Sequence, residues 1–222
     1  MGWGETFADN TAMVDFLRET GAVKSERVLA ALNAIDRKWF TPQFAAEEEE
    51  RRNPQKSAAS LPTEYYDVSK PLKIGYGATM SSPQSHAQAL ELLSEHLKPG
   101  ARVLDVGSGS GYLTAVMAFL VQERGDHSMS SSAKSLLNLT YSRASIGGST
   151  VGLDHMKELV IFSSGIIDQL NTSPPESVQD RTPLRCEFRC VNAMSEFGAV
   201  DDLQKFDCIH FGAAIPVGLI MM

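Results

Sequence analysis

Val103-Leu-Asp-Val-Gly-Ser-Gly-Ser-Gly111 joins a short apolar run to three glycines at alternate positions. With Arg102 before it, the apolar part reads as a buried strand, Arg102 to Val106. The stripe Leu113, Val116, Met117 and Leu120 reads as a helix that opens at about Tyr112. A strand that feeds a glycine turn and then a helix is the start of a parallel α/β unit. Glycine is needed there because a backbone without Cβ atoms can approach a ligand closely. The carboxyl end of such a strand is where open parallel sheets bind ligands.

The glycine spacing narrows the ligand. A dinucleotide turn reads G-x-G-x-x-G, and its third glycine would stand at position 112, which is Tyr112. That disfavours a dehydrogenase. The actual spacing, D-x-G-x-G-x-G from Asp105 to Gly111, resembles the first motif of class I S-adenosylmethionine-dependent methyltransferases. Thr150 to Leu153 reads as the next strand and ends in Asp154, a carboxylate placed to accept hydrogen bonds from ribose hydroxyls.

Outward from this unit, helices are predicted over 9–20, 25–37, 83–97 and 155–170. The first has Asp9 or Asn10 as cap and Gly21 as stop, the second Ser25 as cap, and the third Ser82 as cap with Pro83 in its first turn. Residues 185–191 and 206–211 read as further strands. Helix and strand alternate through this half, so the expected fold is α/β: one parallel sheet, helices on both faces, strand order 3-2-1-4 counting from Arg102. The whole chain reads as a single domain: N-terminal helices and an acidic insertion over 1–70, then an α/β core over 71–222. Two polar stretches interrupt it. One, at 45–64, carries Glu47 to Glu50 and is predicted to be a mobile loop, and the other, at about 124–148, is rich in serine and glycine.

Composition sets outer limits. The 222 residues are 43% hydrophobic and 21% charged, with a formal net charge of -7, which argues against a nucleic-acid partner. The longest apolar run, Ala213 to Met222, is far below the ~20 residues of a membrane helix. Neither a membrane association nor a secretory leader is expected, and the location expected is cytoplasmic. Cys186, Cys190 and Cys208 suit a reducing compartment and are expected to be buried thiols, with no metal site.

Two further stretches carry a more specific resemblance. Ile74-Gly-Tyr-Gly-Ala-Thr-Met-Ser-Ser-Pro-Gln-Ser-His86 and Phe206-Asp-Cys-Ile-His-Phe-Gly-Ala-Ala-Ile-Pro216 are similar to the segments that flank the glycine motif in protein-L-isoaspartate O-methyltransferases. Gly2-Trp3-Gly4 and Val151 to Leu159 fit the same family. The resemblance implies methyl transfer from S-adenosylmethionine to the free carboxylate of isoaspartyl residues in damaged proteins. It implies Ser81 as the active-site residue, positioning by hydrogen bond. Cofactor contacts implied are Ala78, Thr79, Met80, Ser81, His86, Asp105, Gly107, Ser108, Gly109, Ser110, Gly111, Asp154 and His155. Asn192 and Ala193 stand where the family has an acidic residue and glycine. Gly212, Ala213 and Ala214 are implied in the substrate pocket. His210, alternating with Ile209, is expected to be structural.

Family members continue beyond the Gly-Ala-Ala-x-Pro segment with a helix and more strands. The chain ends at Met222, so a C-terminally shortened sheet is expected, its fourth strand an exposed edge, in a monomer prone to self-association. Two alternatives stand beside the repair activity: a catalytically impaired cofactor-binding variant, and a class I methyltransferase with another substrate.

Overall fold

The computed structural model describes residues 5–41, 65–122, 147–178, 182–192 and 205–213. The stretches 45–64 and 124–146, and the single positions Ala193 and Ala214, lie outside the described residues.

Helix α1 (Asn10–Glu19) is capped by Asp9, whose carboxylate accepts from the Ala12 N–H at 2.9 Å, and the chain turns at Gly21 with φ +71°. Helix α2 (Glu26–Ala34) begins after Ser25, whose side chain makes no cap bond. Just before the helix, the Glu91 carboxylate holds the chain, accepting from the N–H groups of Lys24 and Ser25 at 3.2 and 3.1 Å. A 3-10 turn, Arg37–Phe40, follows α2. Strands β1 (Leu72–Gly75) and β2 (Ala78–Met80) form an antiparallel hairpin that alternation alone did not reveal. Helix α3 (Pro83–Leu93) follows it, with Ser82 as cap.

The second half is the parallel sheet: β3 (Arg102–Val106), α4 (Tyr112–Val121), β4 (Ser149–Asp154), α5 (Lys157–Thr172), β5 (Cys186–Cys190) and β6 (Cys208–Phe211). Its order is β5-β4-β3-β6 with every pairing parallel, which is the order expected from the sequence. The order reverses beside β3, so the glycine turn opens at a topological switch point.

Every residue of α4 is buried, as its unbroken apolar composition requires. The helix lies between the sheet and the α1–α2 layer, and Arg27 ties α2 to its end by donating to the Leu97 and Leu120 carbonyls at 2.6 and 2.9 Å. The central strands β3 and β4 are buried on both faces. Val103 belongs to the main core, while Leu104, Val106, Val151 and Leu153 form a second cluster on the opposite face with Val191 and Phe206. This explains the continuous apolar reading of β3 and β4.

Residues 65–69, just past the polar stretch, are packed: Tyr66 and Val68 are buried, and the Tyr66 hydroxyl donates to the Asp36 carboxylate at 3.0 Å. One expectation is corrected. Cys190 is exposed, because it sits at the outer end of edge strand β5. Cys208 is buried and Cys186 half-buried.

Candidate active site

The glycine turn is held by backbone. Gly107, Gly109 and Gly111 all have left-handed φ, at +81°, +55° and +83°. The N–H groups of Gly107 and Ser108 both donate to the Leu153 carbonyl at 2.8 and 3.0 Å, which pins the turn to the end of β4. Asp154 completes the clamp. One carboxylate oxygen accepts from the Gly109 N–H at 2.9 Å and the other from the Met156 N–H at 2.9 Å. Space around the turn is tight on its inner side. A Cβ on Gly107 would lie 2.7 Å from both the Cβ and the backbone nitrogen of Ala213, and one on Gly111 would lie 2.7 Å from the Ser163 Cβ.

The facing wall is held by side chains. The β1–β2 hairpin turns through Gly75, Tyr76 and Gly77, all with positive φ, and delivers Thr79, Met80 and Ser81 to the glycine turn. The Ser110 hydroxyl meets the Met80 sulfur at 3.7 Å across the gap. Ser82 caps α3, its oxygen accepting from the Ser85 N–H at 3.2 Å, while Ser81 stays exposed to the cleft. Beneath them lies Arg37, 0% exposed. Its Nη2 donates to the Ser81 carbonyl at 3.1 Å, and its guanidinium stands 5.7 Å from the centre of the Tyr112 ring. Burial lowers the Arg37 pKa to about 10, against the pull of nearby Tyr112 and Asp36.

Two imidazoles enter from different elements. His86, on α3, is buried and lies 5.1 Å from the Tyr112 ring, with its Nδ1 unpartnered among the described residues. Burial first, then the positive charges of Arg37 and His210, hold its pKa well below the ordinary histidine value, so the ring is neutral. His210, on β6, places Nδ1 2.8 Å from the Asp105 carboxylate, whose other oxygen accepts from the Thr114 hydroxyl at 2.5 Å. Asp105 is 1% exposed.

The structure gathers these groups around one cleft of about 380 Å³, lined by Thr79, Met80, Ser81, His86, Asp105, the turn from Gly107 to Ser110, Tyr112, Leu113, His210 and Gly212. Of the residues singled out in the sequence, Ala78, Gly111, Asp154, His155, Asn192 and Ala213 are not in that lining. Ala78 is half-buried behind Thr79, and Gly111 caps α4. Asp154, His155 and Asn192 lie at the carboxyl ends of β4 and β5, on the far side of the turn; His155 is 3.5 Å from Asp154 and its side chain is exposed. Ala213 packs against Gly107, its N–H directed to the Val106 carbonyl at 3.3 Å.

His210, expected to be structural, does bond Asp105 across the sheet, and it also lines the cleft. Its Cα is paired in register with that of Asp105 across β3 and β6. The sequence did hold a signal, because Asp105-Val-Gly107 and His210-Phe-Gly212 have matching spacing at the ends of adjacent strands. Arg37 and Tyr112 were missed for want of any local signal. Among the described residues, no cluster of three or more His, Cys, Asp or Glu could hold a metal ion, and no helix is long and apolar enough to cross a membrane.

Comparison with known proteins places this arrangement. The family model described as "Protein-L-isoaspartate(D-aspartate) O-methyltransferase (PCMT)" matches residues 8–219. A protein-L-isoaspartate O-methyltransferase of Triticum aestivum is 32% identical over 96% of the chain and 72% of its own length. Protein-L-isoaspartate O-methyltransferase 1 of Arabidopsis thaliana is 40% identical over 93% of the chain and 68% of its own length. Among solved structures, a putative protein-L-isoaspartate O-methyltransferase of Plasmodium falciparum in complex with S-adenosyl-L-homocysteine superposes with a TM-score of 0.58 at 24% identity. It covers 94% of this chain and 76% of that one. That likeness shows the fold, a class I methyltransferase sheet of Rossmann type.

Proposed function

The chain belongs to the protein-L-isoaspartate (D-aspartate) O-methyltransferase family, and on that premise we propose that it methylates the free carboxylate of L-isoaspartyl residues in damaged proteins, with S-adenosylmethionine as donor. The observation that carries this reading is the meeting of Ser81 with the glycine turn in one cleft, although the two are far apart in sequence. A glycine turn alone fits many nucleoside cofactors. A turn faced by the Thr79–Ser81 segment and by Gly212 fits this family's substrate as well.

The residues present fit the cofactor. The three left-handed glycines keep Cβ atoms off the turn. The Ser108 hydroxyl lines the cleft and is buried without a partner among the described residues, so a polar ligand atom would satisfy it. We assign Gly107 to Gly111, Asp105, Thr79, Met80 and His86 to the cofactor's methionine side, and Asp154, His155, Asn192 and Ala193 to its nucleoside side. When bound, S-adenosylmethionine supplies a methyl group on a positively charged sulfur.

The protein's own part needs no strong base. An α-carboxyl group is already ionised near neutral pH. Ser81 serves as a hydrogen-bond donor that orients the carboxylate, and Gly212, which lines the cleft, flanks the peptide backbone. Holding the reactants in line and excluding water is the source of rate. We place the protein in the cytoplasm as a monomer acting on flexible, damaged segments. The test is transfer of labelled methyl from S-adenosylmethionine to an isoaspartyl peptide and to its aspartyl twin. Transfer to the isoaspartyl peptide alone is expected. Transfer to both, or to neither, by folded protein would overturn the reading.

A further inference from the structure

Arg37 carries a charge that the fold does little to offset. The side chain is 0% exposed, and with a pKa lowered only to about 10 it stays charged near neutral pH. The adjacent carboxylate, Asp36, is engaged elsewhere: it accepts from the Tyr66 hydroxyl and the Lys38 N–H, both at 3.0 Å, and the Lys38 ammonium stands 3.2 Å away. Nε and Nη1 of Arg37 are buried with no hydrogen-bond partner among the described residues. Replacing buried charged groups by apolar side chains of similar volume is often neutral or stabilising. Stability therefore gives little reason for an arginine at this position.

The bond it does make points to another reason. Among the described residues, that bond runs from Nη2 to the Ser81 carbonyl at 3.1 Å. Ser81 sits where the chain is otherwise weakly held. Before it, β2 is three residues long and pairs with β1 alone. After it, the anchors belong to α3: the Ser82 oxygen accepts from the Ser85 N–H, and the Gln84 N–H donates to the Val68 carbonyl at 3.1 Å. The Ser81 side chain lines the cleft, and Arg37 does not. A charge-assisted bond from a planar guanidinium is strong and directional, so it fixes the carbonyl it meets.

We propose that Arg37 is a positioning residue for methyl transfer: its bond to the Ser81 carbonyl fixes the backbone from which the Ser81 hydroxyl orients the substrate carboxylate. The inference rests on the isoaspartyl reading of the cleft and deepens it. Arg37 acts through Ser81 and touches no substrate. The glycine turn is pinned separately, by the Leu153 carbonyl and the Asp154 carboxylate, so cofactor affinity should depend on Arg37 far less than peptide turnover does.

A double-mutant cycle tests this. Arg37→Met should lower kcat/KM for an isoaspartyl peptide by about 10- to 100-fold, the scale expected when a positioning group shifts by about 1 Å. The Kd for S-adenosylmethionine should stay within about threefold. In a Ser81→Ala background, with no hydroxyl left to position, Arg37→Met should lower kcat/KM by less than about threefold more. Its effect on the thermal midpoint should be the same in both backgrounds to within about 2 °C, because Ser81→Ala keeps the carbonyl. Arg37→Lys keeps a charged donor and should recover part of the lost kcat/KM in the Ser81 background only. If Arg37→Met does not fold, Arg37→Lys in the same two backgrounds decides the matter. Losses that multiply, or a Kd for S-adenosylmethionine that worsens as much as kcat/KM falls, would overturn the proposal and leave the repair activity standing. Failure of both variants to fold would overturn it too, by making Arg37 a residue of the fold itself. No transfer by the unaltered chain would remove the activity and the proposal together.

Discussion

The two walls of the cleft are built by different physics. The glycine wall is a backbone structure: left-handed turns, N–H groups on the Leu153 carbonyl, and one carboxylate, Asp154, bonded to the Gly109 and Met156 N–H groups. The serine wall is a side-chain structure. There Ser81 is held from below by a buried arginine that comes from 44 residues earlier in the chain. The first wall has no room for a Cβ at Gly107 or Gly111, and the second depends on where buried charges and protons lie. Each should therefore fail under a different challenge.

The largest expected effect is steric and falls on the glycine wall. Gly107→Ala forces a side chain into φ +81° and a Cβ to within 2.7 Å of the Ala213 backbone nitrogen, which cannot swing aside as a flexible side chain would. A left-handed residue costs about 1–2 kcal/mol and overpacking about 1–3 kcal/mol more. We expect a loss of about 2–5 kcal/mol in urea unfolding, together with weakened binding of S-adenosylmethionine. A loss under about 1 kcal/mol would mean that the wall is soft and the comparison misplaced.

The serine wall should answer to pH. The folded state keeps His86 neutral well below the ordinary histidine range, whereas the unfolded chain protonates it near pH ~6.5. Between those two values the unfolded state binds the extra proton, so stability rises with pH across that window and falls on acidification. The slope from this one group reaches at most about 1.4 kcal/mol per pH unit. Unfolding free energies measured from pH 7 downward should show a steeper decline for the unaltered chain than for His86→Gln. Equal slopes would show that the ring takes up its proton in place, and that the Arg37 charge does not govern this wall.

The same division decides how much of the molecule could be read in advance. The parallel unit was legible because each step is local: apolar run, glycine turn, apolar helix, all within Arg102 to Val121. The strand order followed from the general rules of α/β connection. Ser81 and Gly212 were legible only through family resemblance. Arg37 was not legible at all. An arginine ending an amphipathic helix looks solvated, and only the tertiary fold shows it fully buried under Tyr112. That His210 also lines the cleft was hidden, because its strand looked like an ordinary alternation. Its significance lies in a cross-strand partner, Asp105, 105 residues away. The β1–β2 hairpin escaped because its strands are four and three residues long, too short for a period to declare itself.

The smallest effect sharpens the comparison at single-atom scale, where two adjacent serines divide the roles. Ser82 is buried and spends its oxygen on the Ser85 N–H at the start of α3, a helix that carries His86. Ser81, one residue earlier, is exposed to the cleft and is held through its carbonyl, which any residue at that position would supply. Removing the cap should therefore cost stability without touching substrate, and removing the neighbouring hydroxyl should do the reverse. Ser82→Ala is expected to lower unfolding free energy by about 1 kcal/mol and to leave KM for an isoaspartyl peptide within about twofold. Ser81→Ala should leave stability within about 0.5 kcal/mol and reduce methyl transfer, because an exposed side chain that bonds nothing among the described residues contributes little to it. If Ser82→Ala instead damaged KM as much as Ser81→Ala does, the cap and the positioning group would be one unit. The serine wall would then owe its geometry to the start of α3 more than to the arginine beneath it.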